Sequence, residues 1–222
     1  DKYDEDFRDP VFNYGEDIST DFINMKREER VPGAFFQYTG EFLDQRFIVM
    51  AGLRYDYHNI FGSIWTPRVH IMYKPDEFTS IKATFGRGLR TPNILAENSY
   101  LLASAANFYV NGELLGKNPA LLDDLKMEDS WNFGANVNRK FEVFGRTLNI
   151  NLDYYHTKFN DQVVVDNETA YNKVNFYNLD GDSYSNCYQI EVKYELIPRL
   201  EATLAYRYND VKTTMGGRLL RA

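Results

Sequence analysis

The sequence predicts an all-β protein: antiparallel, up-and-down strands forming part of a transmembrane β-barrel, with long loops on one end and short turns on the other. Three observations carry that expectation. Apolar residues recur at every second position in stretches bounded by turn signals, the period of a strand with one apolar face. The connections between stretches alternate short and long, as in outer-membrane barrels. Aromatics make up 16% of 222 residues, with 17 Tyr and 16 Phe, yet the mean hydropathy is only −0.50. A barrel strand alternates over about 9–11 positions, so its average hydropathy stays modest. No apolar run is long enough for a spanning helix; Phe47–Leu53 is among the longest.

Residues 1 to about 28 are acidic and aperiodic and read as a loop. Asp1, Asp4, Glu5, Asp6 and Asp9 lack the central glycine of a calcium loop, so a solvated segment is expected there. In Val31–Phe42, Ala34, Phe36 and Tyr38 alternate with Phe35, Gln37 and Thr39. After the turn Leu43–Arg46, Phe47, Val49, Ala51, Leu53, Tyr55 and Tyr57 share a face. Asn59–Trp65 reads as a moderate loop. Arg68–Tyr73 and Ser80–Gly88 then form a strand pair around the turn Lys74–Thr79.

Residues 91 to about 127 form the longest irregular stretch, with room for a short helix in Ile94–Asn107. Alternation resumes with Trp131, Phe133, Ala135 and Val137, turns near Glu142–Arg146, and is cleanest at Leu148, Ile150, Leu152 and Tyr154. Asn160–Thr169 reads as loop. Tyr188–Tyr194 and Leu200–Tyr208 complete about eight strands. Asp180-Gly181, read alone, is a hairpin turn, because Gly tolerates φ > 0.

Arg54, Asp56, Asn149, Asn151, Asp153, Glu191 and Lys193 lie on the polar faces and suit a wet lumen. Tyr55, Tyr57, Tyr73, Tyr154, Tyr194, Tyr206 and Tyr208 lie on the apolar faces toward strand ends, where an aromatic girdle belongs. A soluble sheet with one solvated face explains the alternation equally well but not the loop asymmetry. On this pattern Leu152→Arg should cost about 2–4 kcal/mol, while Asn151→Arg should be nearly silent.

Several motifs occur in a fixed order. Thr66-Pro67-Arg68 opens one strand, and Phe85-Gly86-Arg87-Gly88-Leu89-Arg90-Thr91-Pro92-Asn93 closes the next. Asn118-Pro-Ala-Leu, Met127-Glu-Asp-Ser-Trp131-Asn-Phe-Gly, Tyr154-Tyr-His-Thr-Lys-Phe-Asn-Asp-Gln-Val and Tyr177-Asn-Leu-Asp-Gly follow. Together they closely resemble the barrel of TonB-dependent outer-membrane receptors, over roughly residues 30 to 210. The resemblance implies that residues 1–222 are a partial barrel domain with a long external loop near 91–127, and it favours placing Asp180-Gly181 inside or just above one descending strand, as a bulge, over the hairpin turn. The family also has a plug and a TonB-contacting motif, which this sequence does not contain. The chain starts without Met and is expected to be an interior piece of a larger protein, supplying about a third of a barrel of about 22 strands. Pro67, Arg68, Gly86, Arg87, Gly88, Arg90, Pro92 and Trp131 match the family's landmarks and are expected to be structural. Arg87 and Arg90 should pair with lumen acids and shape the strand-to-loop exit. Gly86 and Gly88 should mark a bulge or a close backbone approach.

Signatures of catalytic chemistry are missing from the sequence. The sequence has no His-Glu-x-x-His, Gly-x-Ser-x-Gly, P-loop or Cys-x-x-Cys. Its single Cys187 excludes an internal disulfide, and its three histidines lie apart. No catalytic residue, metal site or cofactor is expected, and a net charge of −7 argues against nucleic acid.

The expected function, as the resemblance implies, is active uptake of a scarce nutrient across the outer membrane of a Gram-negative bacterium. Siderophores, cobalamin, other metal chelates and glycans are the candidate substrates. Haem receptors of the family this chain resembles carry a histidine in the loop between the Arg90-Thr91-Pro92 and Asn118-Pro-Ala-Leu landmarks; here that loop, Thr91–Asn118, holds none, which counts against haem. Tyr100, Phe108, Tyr109 and Asn111 in that loop could stack on and hydrogen-bond a ligand, or pack the loop against its neighbours. Expected partners are outer-membrane lipid, the TonB complex through another region of the parent protein, the ligand, and as a further candidate a surface lipoprotein. The rivals are a passive porin-like channel and a soluble all-β binding module.

Overall fold

The computed structural model describes residues 2–5, 8–10, 22–24, 27–103, 106–115, 118–167, 172–215 and 218–221. Four short strands come first. β1 (Lys2–Glu5) pairs with β4 (Arg27–Arg30), and β2 (Arg8–Pro10) with β3 (Phe22–Asn24), both antiparallel. A loop was expected here. These segments are only three or four residues long, too short for a period to announce them.

The wall follows with β5 (Gly33–Phe42), β6 (Phe47–His58), β7 (Gly62–Tyr73) and β8 (Thr79–Arg90). A one-turn helix α1 (Ile94–Glu97), β9 (Asn107–Val110) and β10 (Glu113–Leu114) lie in the long connection that comes next. The chain returns through β11 (Glu128–Val143) and β12 (Arg146–Asn160), then leaves again as β13 (Val163–Asp166) and β14 (Lys173–Asn178). β15 (Ser183–Ile197), β16 (Leu200–Met215) and β17 (Arg218–Arg221) end it.

One nine-stranded sheet has the order β17-β16-β15-β12-β11-β8-β7-β6-β5. Every neighbouring pair in it is antiparallel. It is an open meander with β5 and β17 as edges, and it contains all eight expected strands plus β17. Its short connections are Leu43–Arg46, residues 74–78, Phe144-Gly145 and Pro198-Arg199. Phe144 and Gly145 have φ of 51° and 72°, the left-handed pair of a two-residue hairpin turn. In the second turn Asp76 accepts from the Phe78 amide at 2.8 Å and the Thr79 hydroxyl at 3.1 Å. Desolvation opposes ionisation there, but these hydrogen bonds and Arg139 hold the Asp76 carboxyl below the usual carboxylate range.

The opposite end carries the two long excursions, residues 91–127 and 161–182. The expected moderate loop Asn59–Trp65 shrinks to residues 59–61, because β7 already pairs at Gly62↔His58. His58 explains the tightness: its buried Nδ1 accepts from the amides of Ile60 at 3.1 Å and Phe61 at 3.4 Å.

Burial decides what the two faces meet. Every fully buried apolar residue among those described lies on the inward face or in the long excursions; none lies on the apolar outward face. Phe36, Leu53, Ile71, Ile81, Phe85, Phe133, Val137, Leu152, Ile190 and Leu204 stand 36% to 75% exposed instead. A soluble sheet hides such a face; this one leaves it uncovered across the whole wall, far beyond the patches soluble monomers expose. The opposite face is wet. Asn136 Nδ2 donates to Asn151 Oδ1 at 2.8 Å and Asp153 Oδ1 at 2.7 Å, and Asn151 Nδ2 donates to Asp153 Oδ2 at 2.6 Å. Asn138 Nδ2 donates to Asn149 Oδ1 at 2.8 Å.

That network corrects one expectation. Asn151 is a donor and an acceptor in it, so Asn151→Arg is not silent. The girdle is also corrected. The strands run further than the alternation indicates, so Tyr154, Tyr206 and Tyr208 sit at mid-strand. Tyr154, Tyr188 and Tyr208 form a cross-strand row with ring centroids 5.0 and 6.3 Å apart. Tyr55, Tyr57 and Tyr73 do lie near strand ends.

Asp180-Gly181 is neither a hairpin turn nor a bulge in the ladder. It lies where the chain leaves β14 and enters β15, and Gly181 lies so close to Thr214 that an added Cβ would stand 2.7 Å from it. The β15–β16 ladder shifts register at the other end of β15, between Glu195 and Ile197.

Candidate functional site

The two long excursions fold onto each other. β9 and β10 come from the first, β13 and β14 from the second, and they build a separate four-stranded sheet in the order β10-β9-β14-β13. Its centre is a parallel ladder between the excursions, Lys173↔Asn107 to Phe176↔Val110. Asn111-Gly112, with φ of 52° and 84°, turns β9 into β10, and the Gly112 amide donates to Asn175 Oδ1 at 3.0 Å.

This module has its own core. Ile94, Leu95, Leu101, Val110, Leu115, Leu121, Leu125, Val174 and Phe176 form one buried cluster, with Phe176 at 0% exposure. The expected helix is present as α1 plus a 3-10 turn at Ser99–Ala103, and it supplies three of those residues. Asn178 ties the module to the wall: its Oδ1 accepts from the Lys126 amide at 2.8 Å, and its Nδ2 donates to the Asp161 carbonyl at 2.7 Å. Ser183 Oγ, at the start of β15, donates to Gln162 Oε1 at 2.7 Å.

Strand parity separates the predicted ligand residues. Phe108 and Val110 face the core, and Phe108 stacks on Phe176 with ring centroids 6.1 Å apart. Phe108 therefore packs the loop, the second of its two expected roles. Tyr109 lies on the other face, with Lys173 Nζ 5.1 Å from its ring centroid. Asn111 is exposed at the hairpin turn beside it, and Tyr100, 66% exposed, lies in the 3-10 turn. The same parity brings Asn107, Asn175, Asp166 and Tyr177 to the Tyr109 face. Burial, and then the charge of Asp166, push the Tyr177 hydroxyl above its usual range. Sequence reading missed Lys173, Asn175 and Tyr177. The Asn111-Gly112 dipeptide and the alternation Val174, Phe176 were available signals for the strands that carry them.

The landmark residues sit at the exit from wall to module. Arg87 Nε and Nη2 donate to the two carboxylate oxygens of Asp129 at 2.9 and 3.0 Å, and Nη1 donates to the Trp65 carbonyl at 3.2 Å. Its guanidinium lies 5.8 Å from the Trp131 ring centroid, and Trp131 stacks on Phe85 at 5.2 Å. Arg87 shares parity with Ile81, Ala83 and Phe85, so the pair faces outward; the expected lumen acid is replaced by an acid on the apolar side. Arg90 is the inward one, bridging Glu128 and, at 3.1 Å, Glu97 of α1.

Gly86 and Gly88 carry no bulge, since Gly86↔Asn132 and Gly88↔Ser130 stay in register. Gly88 is a close approach: an added Cβ would lie 3.1 Å from Ser130 Oγ. Pro67 has no N–H to offer, and the β7–β8 ladder begins at the next residue, Arg68. Pro92 is buried where the module starts.

Arg87→Gln should cost about 1–3 kcal/mol, because Asp129 loses a bidentate, charge-assisted partner at a half-buried site. Urea midpoints of the parent protein would measure it. The double variant with Asp129→Asn should cost less than the two singles added together.

An antiparallel wall that is apolar outside and wet inside, with loops folded into a module at one end, is the wall of a membrane β-barrel receptor. The whole chain, residues 1–222, matches the family described as TonB dependent receptor-like, beta-barrel, and it belongs to that family. It is 26% identical over 145 residues to the probable TonB-dependent siderophore receptor PirA of Acinetobacter baumannii, covering 63% of this chain and 18% of that protein. It is 32% identical over 94 residues to the ferrienterobactin receptor of Escherichia coli, covering 38% and 11%. The chain thus spans less than a fifth of either curated relative. Among solved structures, the siderophore receptor PirA from A. baumannii superposes with a TM-score of 0.64 at 18% identity, over 88% of this chain and 30% of that one. A mutant of the ferric enterobactin receptor PfeA from Pseudomonas aeruginosa gives 0.63 at 18% identity, over 84% and 27%. At these identities the superpositions establish the fold.

Proposed function

We propose that this chain is barrel wall and external loop from a TonB-dependent receptor that imports a ferric siderophore across the outer membrane. The observation that carries the reading is the module built from two excursions. It holds a mixed aromatic, amide and cationic face, of Tyr109, Tyr177, Asn107, Asn175 and Lys173, on a core of its own. Rigid aromatics beside hydrogen-bonding amides suit recognition of a flat, heteroatom-rich chelate. The siderophore receptors among its relatives favour that substrate over cobalamin or a glycan.

Binding and gating need no covalent step. The module face, with Tyr100 and Asn111 at its margins, takes the ligand from outside. The wall's outward face is solvated by outer-membrane lipid, and its polar face lines the passage. Work from the inner membrane reaches the passage through the TonB complex, which contacts another region of the parent protein.

The test is uptake of radiolabelled ferric siderophore by cells expressing the full parent receptor, with and without a proton-motive force. Energy-dependent accumulation supports the reading; accumulation that survives de-energisation points to a passive channel. Tyr109→Ala should weaken surface binding about tenfold, near 1.4 kcal/mol, with receptor abundance unchanged. Unaltered binding would remove the Tyr109 face from the site.

A further inference from the structure

The module has a core of its own and is joined to the wall by the segments that leave and enter it. A body joined in that way rocks against its neighbour unless the joints are tied. Three of the joints meet at one carboxylate. Arg90 ends β8, where the first excursion leaves the wall, and Glu128 opens β11, where that excursion returns. The two stand opposite each other on the last rung of the β8–β11 ladder. The β11–β12 ladder stops one residue short of Glu128, at Asp129↔Asn160.

Both oxygens of Glu128 are engaged. Oε2 accepts from Arg90, and Oε1 accepts from the amide of Val163, the first residue of β13, at 3.0 Å. Arg90 also reaches α1, where its Nη1 donates to Glu97 Oε1 at 3.1 Å. The series Glu97, Arg90, Glu128, Val163 therefore crosses from the first excursion, through two wall strands, to the second. Its bonds are charge-assisted, and the Glu128 side chain at its centre is only 15% exposed, so water competes weakly for it. The other ties are more local. Asn178 bonds the backbone of Lys126 and Asp161, and Ser183 bonds Gln162. Neither reaches β8 or α1.

We infer that Arg90 and Glu128 are positioning residues for ligand capture, a clamp that seats the module on the wall and so presents its Tyr109 face in one orientation. This rests on the reading of the module as the ligand-binding element. Arg90 acts through its planar fork, which serves two carboxylates at once where a lysine offers a point charge. Glu128→Gln keeps an oxygen for Val163 and removes the charge that holds Arg90.

The experiment uses the full parent receptor in outer membranes. Spin labels are placed at Glu113→Cys on the module and Glu77→Cys in a short turn of the wall, with Cys187→Ser to silence that thiol. Pulsed electron paramagnetic resonance then reads the module-to-wall distance. Arg90→Gln and Glu128→Gln should each broaden a distribution that is narrow in the wild type. Surface binding of a ferric tricatecholate, measured on unlabelled receptor, should weaken about tenfold, the result of a seated fraction reduced to about a tenth. Protease resistance of the loops should be retained, because the module core is untouched. Arg139→Gln, on the outward face toward the other end of β11, should behave as wild type. Unboiled gel mobility checks assembly. Glu97→Gln, which frees α1 alone, should broaden the distribution less and carries the test if the other variants fail to assemble. An unchanged distribution in the variants overturns the clamp. Broadening with unaltered binding overturns its positioning role. A wild-type receptor that binds neither a ferric tricatecholate nor a ferric trihydroxamate, while the variants still broaden the distribution, overturns the siderophore reading and supports the clamp.

Discussion

Leu152→Arg in the parent receptor should cost about 2–4 kcal/mol in a refolding titration from urea into lipid vesicles. Leu152 lies at the middle of β12, between Val137 and Ile190, and is 46% exposed to whatever bathes the outward face. In hydrocarbon an arginine there must snorkel or drag in water, and both are expensive. The matched inward substitution is Ala205→Arg, exposed and opposite Glu191. It should stay within about 0.5 kcal/mol, because it meets water and an acid. Equal costs at the two positions would reverse the assignment of the faces.

Phe176→Ala should remove about 3–5 kcal/mol from the module. Phe176 is 0% exposed, stacks on Phe108 and pairs with both Val165 and Val110. It is the point where the strands of the two excursions share one core. Losing it should open the module without opening the wall, whose ladders do not depend on that core. The expected result is protease sensitivity of the external loops and loss of ligand binding in intact cells. Gel mobility of the unboiled barrel should be unaltered. A barrel that fails to assemble would show that the module folds as part of the wall.

The wall was legible because its physics is local. Leu148, Ile150, Leu152 and Tyr154 repeat at period two, and short turns such as Phe144-Gly145 separate one such run from the next. The module was not legible, although Asn111-Gly112 and Val163-Val164-Val165 were in view. Its strands are 2 to 6 residues long, and its central ladder is parallel. A pairing between segments about 65 positions apart leaves no trace in the period of either. Arg87 was misplaced for a related reason. An arginine reads as a wet-face residue, and only the position of Asp129 on the neighbouring strand lets it lie on the apolar side.

By itself the sequence determined the strand class, the meander order, the two faces and the family, because alternation and motif order are properties of neighbouring residues. The tertiary structure alone decided two things: that two loops make one module, and that Phe108 turns inward while Tyr109 stays outside. Each depends on which distant segment lies alongside, and that is fixed by burial and by pairing of backbone hydrogen bonds across the fold.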